Sequence, residues 1–260
     1  MEERVDLAKR KFNDYVNSFS ELREDQKKIL EIKRNHSIRV ADSIEMLARK
    51  KELNENEIYL SYLIGLFHDI GRFKQLREFD TFNDSKSVDH AEYSLEVLKS
   101  GSFLDDLDEG EKQLVLFAIA QHNKLVLPKK NRDKERLFAR LIRDADKLDI
   151  LNVITDYYSN PTTAPNHTLT WELPTGTKIS DKVLKQILNE ELVSKDEVKS
   201  ELDIKVMQLS WVYDLNFRPS FELMAEKRYL EKIYNSMPKN DTVIEIYRKV
   251  KVYIENKFIK

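Results

Sequence analysis

Apolar residues recur at intervals of three and four along most of this chain, the spacing of an amphipathic helix. Strand-like alternation is scarce, and only 5 Gly and 6 Pro interrupt the pattern over 260 residues. The sequence contains no internal repeat and no low-complexity tract. The pattern therefore predicts an all-α fold, a bundle of helices that bury their apolar faces against one another.

The first part of the pattern predicts a series of helices that ends near residue 155. Residues 4–35 have the spacing of two amphipathic helices, and the apolar stripe continues beyond His36. Residues 58–70 are nearly all apolar, as expected of a central helix, and Gly71 is placed to end it. Further helices are predicted over residues 90–100, 111–122 and 135–153.

After residue 155 the pattern changes. Prolines and a glycine interrupt residues 161–176, and apolar residues alternate with polar ones from Leu169 to Leu173, which predicts a short β-hairpin near 167–180. No flexible linker separates the two parts, so residues 1–260 are expected to form a single domain, with a core of about 30–155 and a helical extension of about 156–260. The helices predicted in the extension span 183–192, 198–215, 221–234 and 243–258.

The composition excludes several kinds of site and partner. The chain has no Cys, so thiolate metal sites, iron–sulfur clusters and cysteine nucleophiles are excluded, and imidazole and carboxylate remain as metal ligands. With 44 basic and 46 acidic residues, the chain has no positive field to attract nucleic acid. No apolar run approaches the roughly 20 residues of a membrane span. We therefore expect neither a nucleic-acid nor a membrane partner, and we predict a cytoplasmic location.

Polar residues interrupt the apolar faces of these helices at six positions. A buried imidazole or carboxylate needs a partner to offset its desolvation, and six such residues on successive helices are explained together by one metal centre. Helices that each contribute one or two ligands can form such a site and leave coordination positions open for water and substrate. The six residues are His36, His68, Asp69, His90, His122 and Asp146.

The six candidate ligands divide into one or two sites. Four of them suffice for one site: His36, His68, Asp69 and Asp146. If Asp69 bridges, His90 and His122 complete a second site beside it. Two cations together activate a water molecule and neutralise charge on a phosphate. These ligand types admit Mn, Fe, Co, Ni or Zn.

The same residues lie in motifs that resemble the HD-domain superfamily of metal-dependent phosphohydrolases. The defining order of His, His-Asp and Asp is seen at His36, in Phe67-His68-Asp69-Ile70-Gly71, and in the RDADKL segment of residues 143–148. The resemblance covers roughly residues 30–155. By this likeness His36, His68, Asp69 and Asp146 are ligands of a first metal, and His90 and His122 are ligands of a second.

The resemblance implies hydrolysis of a phosphomonoester or phosphodiester, of a nucleotide or similar small molecule, by a metal-activated hydroxide. The candidate catalytic residues are His68, Asp69 and Arg72. Two alternatives remain open. The histidine spacing also resembles the mixed-valent di-iron oxygenases of the same fold, and a regulatory module would bind a ligand without turnover. The oligomeric state stays open as well.

Two departures from known subgroups restrict the substrate. Several HD nucleotidases and guanosine-tetraphosphate hydrolases have a glutamate three residues after the motif aspartate, where this chain has Arg72. Cyclic-di-GMP phosphodiesterases place two adjacent histidines, followed by Gly-Tyr-Pro, where this chain has His122-Asn123. Neither subgroup is therefore indicated.

Four cations lie within a few residues of the proposed ligands, and they are candidates for binding a substrate phosphate. The guanidinium of Arg72 can bind two phosphate oxygens at once. The alternative for each of these residues is a solvated position at the end of a helix, without a role in binding. The four are Arg72, Lys74, Lys124 and Lys147.

Overall fold

A computed structural model describes residues 2–129, 132–160, 171 and 173–259. The described residues form helices and connecting turns and contain no strand, so the all-α prediction is confirmed. They divide into two compact units, Met1–Asp146 and Lys147–Lys260. The single-domain assignment stays a prediction. Within the described residues, no helix is both long enough and apolar enough to cross a membrane.

The first unit is built from helices that carry the candidate ligands. They are α1 (Glu2–Asn17), α2 (Glu24–Lys50), α3 (Glu55–Phe67), α4 (Gly71–Phe79), α5 (His90–Ser100), α6 (Glu109–Gln121) and the first part of α7 (Asp133–Ser159). A 3₁₀ turn over Asp84–Lys86 precedes α5. Helix α3 packs against α1, α2 and α6, and it is the central helix that its apolar sequence predicts.

Helix starts in this unit follow from local sequence. Asn54 accepts a hydrogen bond from the backbone N–H of Glu57, whose side chain returns to the Asn54 backbone, and Asp108 and Glu111 repeat this arrangement before α6. Asp89 caps α5 by accepting from Ala91 N–H. These caps fix the ends of the helices on which the histidines lie.

Gly71 has a different role from the predicted one. It does not end the central helix: α3 ends at Phe67 and Gly71 begins α4, without a positive φ. Its lack of a side chain allows a close approach instead, because a Cβ at this position would lie 2.4 Å from Ser94 N and 2.7 Å from Tyr93 C. The prediction was therefore wrong about the turn, and the glycine serves helix packing.

The second unit contains the remaining helices. The predicted helix over 221–234 is wrong as a continuous element, because Arg228 adopts φ 56 and divides it into two. Residues 167–170 and 172 of the predicted hairpin lie outside the described residues, and its residues 171 and 173–180 carry no strand. The helices are α8 (Asp181–Leu188), α9 (Glu201–Ser210), α10 (Arg218–Glu226), α11 (Tyr229–Asn235) and α12 (Asp241–Ile259).

Candidate metal centre

The first unit brings all six predicted ligands together from five segments. His36 lies within α2, His68 and Asp69 follow the last residue of α3, and His90 is the first residue of α5. His122 follows α6, and Asp146 lies within α7. The four histidines and Asp69 are buried, whereas the Asp146 side chain retains 18% of its exposure. The cluster is therefore accessible at the side of Asp146.

One group of ligand atoms surrounds Asp146. His36 Nε2 lies 3.2 Å and His68 Nε2 lies 3.8 Å from Asp146 Oδ1. All three ligand atoms lie within 4.8 Å of one another. Asp69 Oδ2 joins this group, at 3.8 Å from His36 Nε2 and 3.7 Å from His68 Nε2. These are the four residues predicted for the first metal.

A second group forms at the other oxygen of Asp69. His90 Nε2 lies 3.5 Å and His122 Nε2 lies 3.8 Å from Asp69 Oδ1. The two imidazole nitrogens lie 3.0 Å from each other. The two carboxylate oxygens of Asp69 thus face different histidine pairs, which is the placement that a bridging ligand requires.

Hydrogen bonds at Nδ1 set the orientation of three imidazoles. His68 Nδ1 donates to the carbonyl of Gly65 and His122 Nδ1 donates to the carbonyl of Ile119, both at 2.7 Å. A carbonyl oxygen can only accept, so in both rings Nε2 carries the lone pair. His90 Nδ1 contacts the Asp84 carboxylate, which fixes its ring in the same way. Such partners on the outer nitrogen are typical of histidines that bind metals through Nε2.

With these Nδ1 hydrogen bonds, the free Nε2 atoms can be compared with the geometry that a bound cation requires. His90 Nε2 and His122 Nε2 both present lone pairs, and they approach to 3.0 Å. Two ligands at 2.1 Å from one ion, in adjacent octahedral positions, are about 3.0 Å apart. Within the described residues, His68 Nε2 and Asp69 Oδ1 are buried without a hydrogen-bond partner. The donor set therefore fits divalent cations.

The protonation of the cluster also suits metal binding. Burial lowers the pKa of His68 and His90, and it lowers that of His122 well below the ordinary value, with neighbouring His90 adding to the effect. Burial alone would raise the pKa of Asp146, but its hydrogen bond with His36 lowers it overall. The site therefore offers neutral imidazoles and ionised carboxylates near neutral pH.

Lys33 is a residue of this site that the sequence analysis missed. Its Nζ lies 2.9 Å from Asp69 Oδ2. Burial alone would raise the pKa of Asp69, but Lys33, with His68 and Arg72, lowers it well below the ordinary value. A sequence signal existed, because Lys33 precedes His36 by three residues and so lies on the same face of α2.

Arg72 lies beside the other oxygen of Asp69 and is held in place from outside the cluster. Its Nε is 3.6 Å from Asp69 Oδ1. Its Nη1 donates to Asp84 at 2.8 Å, to the carbonyl of Phe82 and to Gln75. Asp84 therefore joins Arg72 to His90, and it is a second residue that the sequence analysis missed. No periodic pattern marks it, because it lies in a turn.

Backbone contacts fix the turns that carry the ligands. Ser94 accepts from the N–H of Gly71, and its hydroxyl lies 2.9 Å from the carbonyls of both His68 and His90. Buried Arg143 donates to the carbonyls of Gln121 and Lys124, on either side of His122. These two side chains position three of the four histidines.

The other predicted phosphate-binding cations have partners elsewhere. Lys74 lies over the ring of Tyr93 and 3.7 Å from Glu96. Lys124 pairs with Asp89 at 2.7 Å. In the second unit, Lys147 pairs with Asp214 at 2.7 Å. Their roles in substrate binding, like the catalytic roles of His68, Asp69 and Arg72, stay predictions.

A third group of possible ligands lies next to the cluster. Asp84, Asp89 and His90 also have ligand atoms within 4.8 Å of one another. Asp84 pairs with Arg72, and Asp89 caps α5 and pairs with Lys124, which lowers the pKa of Asp89 to about 2 against the effect of burial. Arg72 and Lys124 already neutralise these two carboxylates. We therefore interpret the group as one that holds the ring of His90 in place through Asp84.

The first unit is thus an all-α domain whose clustered histidines and aspartates are compatible with a metal site. Residues 34–151 match the family model of the HD domain, and this span contains all six ligands. Residues 34–151 therefore form an HD domain, a domain typical of metal-dependent, hydrolase-type proteins. Comparison with curated proteins and with solved structures found no significant match.

Proposed function

We propose that the protein is a metal-dependent phosphohydrolase that cleaves a phosphomonoester or phosphodiester, of a nucleotide or a similar small molecule. The observation that carries this proposal is the 3.0 Å approach of His90 Nε2 and His122 Nε2, which supports a second cation beside the first. Two cations bridged by a carboxylate are typical of centres that hydrolyse phosphate esters.

The charges of the site support an anionic substrate. Its six ligands carry only two negative charges, on Asp69 and Asp146, because the imidazoles are neutral ligands. Two divalent cations exceed that charge. Lys33 and Arg72 add two positive charges within 3.6 Å of Asp69, and Asp84 offsets one of them. A preorganised positive surplus stabilises the charge that develops on phosphoryl oxygens during the reaction.

The residues of the chain have distinct roles in this proposal. Bound divalent cations would supply an activated water nucleophile and would neutralise charge on the phosphate. Asp69 and His68 would hold the cations, and the two oxygens of Asp69 would serve one site each. The guanidinium of Arg72 is fixed by Asp84 and by the carbonyl of Phe82, so it orients a phosphate group without a rotamer search.

Chelation followed by reloading tests the proposal. The protein is stripped of metal, reloaded separately with Mn, Fe, Co, Ni or Zn, and assayed against a panel of nucleotides and phosphodiesters. We expect activity to disappear on chelation and to return with at least one metal, but not in Asp69→Asn. The exposed substitution Asp105→Asn is the matched control.

The alternatives make different predictions in the same experiment. A metal-loaded protein that is inert against the whole panel contradicts the proposal. Oxygen uptake with a paramagnetic mixed-valence signal would support the di-iron oxygenase. Nucleotide binding without turnover would support a regulatory module.

A further inference from the structure

The ion pair of Lys33 joins a partly exposed ammonium to a candidate ligand of the first metal. Lys33 Nζ lies 2.9 Å from Asp69 Oδ2, the same oxygen that faces His36 and His68. The Lys33 side chain retains 22% of its exposure, whereas Asp69 retains 4%. A solvent-accessible ammonium thus reaches into the buried cluster.

A bound cation would change the partner of this ammonium. A buried carboxylate requires a compensating charge, and in the structure Lys33 provides it. A divalent cation held by Asp69 would provide that charge instead, and the ammonium would then lose its partner and gain a neighbouring positive ion. Because a lysine has a flexible four-carbon stem, its ammonium can turn to a new anion nearby.

Lys33 and Arg72 share an aromatic neighbour, Phe82. Lys33 Nζ lies 5.7 Å and Arg72 Cζ lies 5.6 Å from the centroid of the Phe82 ring. Phe82 is partly exposed, so the ring is an apolar surface between two cations at the edge of the cluster. An anion bound to the metals would meet both positive groups there.

We propose that Lys33 is an anion-binding residue of the active site, which pairs with Asp69 in the metal-free protein and with a phosphate oxygen of the substrate in the metal-loaded protein. This inference rests on the proposed function and names its recognition chemistry, a phosphate group with at least one free anionic oxygen. Lys33 would thereby contribute what the sequence analysis expected of Lys124 and Lys147, whose partners lie elsewhere.

The proposal predicts opposite effects of Lys33→Met on two binding equilibria. Without the competing ammonium, Mn²⁺ should bind the stripped protein about threefold more tightly or better. Inorganic phosphate should bind the Mn²⁺-loaded protein about tenfold more weakly, since one charge-assisted hydrogen bond is lost. Lys33→Arg keeps the charge and should retain phosphate binding within about threefold.

Titration calorimetry with Mn²⁺, and then with inorganic phosphate, measures both equilibria without an activity assay. Lys50→Met is the matched control, because Lys50 is exposed on the same helix about 25 Å along its axis. It should change neither equilibrium. Circular dichroism of each variant checks that the fold is retained, and Lys33→Arg tests the inference where Lys33→Met does not fold.

The outcomes separate this inference from the proposed function. If Lys33→Met binds phosphate as tightly as the wild-type protein does, the proposed role of Lys33 is overturned. The proposed phosphohydrolase activity is unaffected by that result as long as the wild-type protein cleaves esters. An equal loss in Lys50→Met also overturns the role of Lys33, because the effect would then be one of overall charge. Metal-loaded wild-type protein that neither binds phosphate nor cleaves any ester overturns both.

Discussion

His90 Nε2 and His122 Nε2 lie 3.0 Å apart, each with its outer nitrogen engaged by a hydrogen-bond acceptor. Two lone pairs at this distance repel unless a positive charge lies between them. The backbone nevertheless holds the two rings close together, because His90 begins α5 and His122 follows the last residue of α6. The scaffold thus holds two imidazole nitrogens at a separation that a shared cation would stabilise.

Asp84 is expected to control the affinity of the second metal. Asp84→Ala removes the carboxylate that orients the His90 ring, and it releases Arg72 from its fixed position. Loss of such a partner typically weakens metal binding by about 10–100-fold. Calorimetric titration with Mn²⁺ measures this effect, and Asp105→Ala, an exposed change, is the control. An unchanged second-site affinity would show that Asp84 does not orient a ligand.

Arg143 is expected to stabilise the turn that carries His122. Its side chain is only 1% exposed and donates to carbonyls on both sides of that histidine. Arg143→Leu removes the guanidinium donor from both of these partly buried carbonyls, so we expect the free energy of unfolding to fall by about 3 kcal/mol. Urea denaturation measures the change. Arg140→Leu, exposed on the same helix, should cost less than about 0.5 kcal/mol, and equal losses would refute this role.

Gly71 should tolerate no side chain. A Cβ at this position would lie 2.4 Å from Ser94 N, and backbone atoms cannot move aside as a flexible side chain can. Gly71→Ala is expected to lower the free energy of unfolding by about 2–4 kcal/mol and to weaken metal binding, because Ser94 also joins His68 to His90. In Gly110→Ala, the nearest atom is a side-chain oxygen at 3.3 Å, so thermal unfolding should change little. Equal melting temperatures for both variants would contradict this explanation.

Buried tyrosines in the second unit predict a loss of stability at alkaline pH. Burial raises the pKa of Tyr158 and of Tyr229 to about 12, from an ordinary value of 10.0. The unfolded chain therefore releases these protons at lower pH than the folded chain does. Their contribution to stability is fully present below pH 10 and is lost as the pH rises from about 10 to about 12.

Denaturation of Tyr158→Phe across this pH range measures the contribution. The variant should lose less stability than the wild-type protein between about pH 10 and pH 12, because it has one fewer proton to retain. Phenolate absorbance should rise together with unfolding. An identical pH dependence for both proteins would mean that Tyr158 ionises equally in the folded and unfolded chains.

The six candidate ligands could be selected from the sequence because each interrupts an apolar stripe of its own helix. A polar residue on a buried face is visible in a periodic pattern, and the adjacent His68 and Asp69 mark the end of the central helix. The family resemblance pointed to the same positions, and the match over residues 34–151 confirms the HD domain.

The contacts around the ligands could not be predicted in the same way. Asp84 reaches His90 from a turn, and Arg143 reaches the backbone beside His122 from another helix, so both contacts depend on tertiary packing. The break at Arg228 was missed because apolar spacing continues through it, and a left-handed residue other than glycine has no regular sequence signal. Gly71 was predicted to end the central helix because a glycine that allows close helix packing looks the same in a sequence as one that ends a helix.

Metal stoichiometry tests most directly the central claim that Asp69 joins two cation sites. We predict that wild-type protein, stripped and then titrated with Mn²⁺, binds two ions per chain, that His90→Ala retains one, and that Asp69→Ala retains no tight site. Elemental analysis after gel filtration provides an independent count. Two ions bound by Asp69→Ala, or none bound by wild-type protein, would contradict the account.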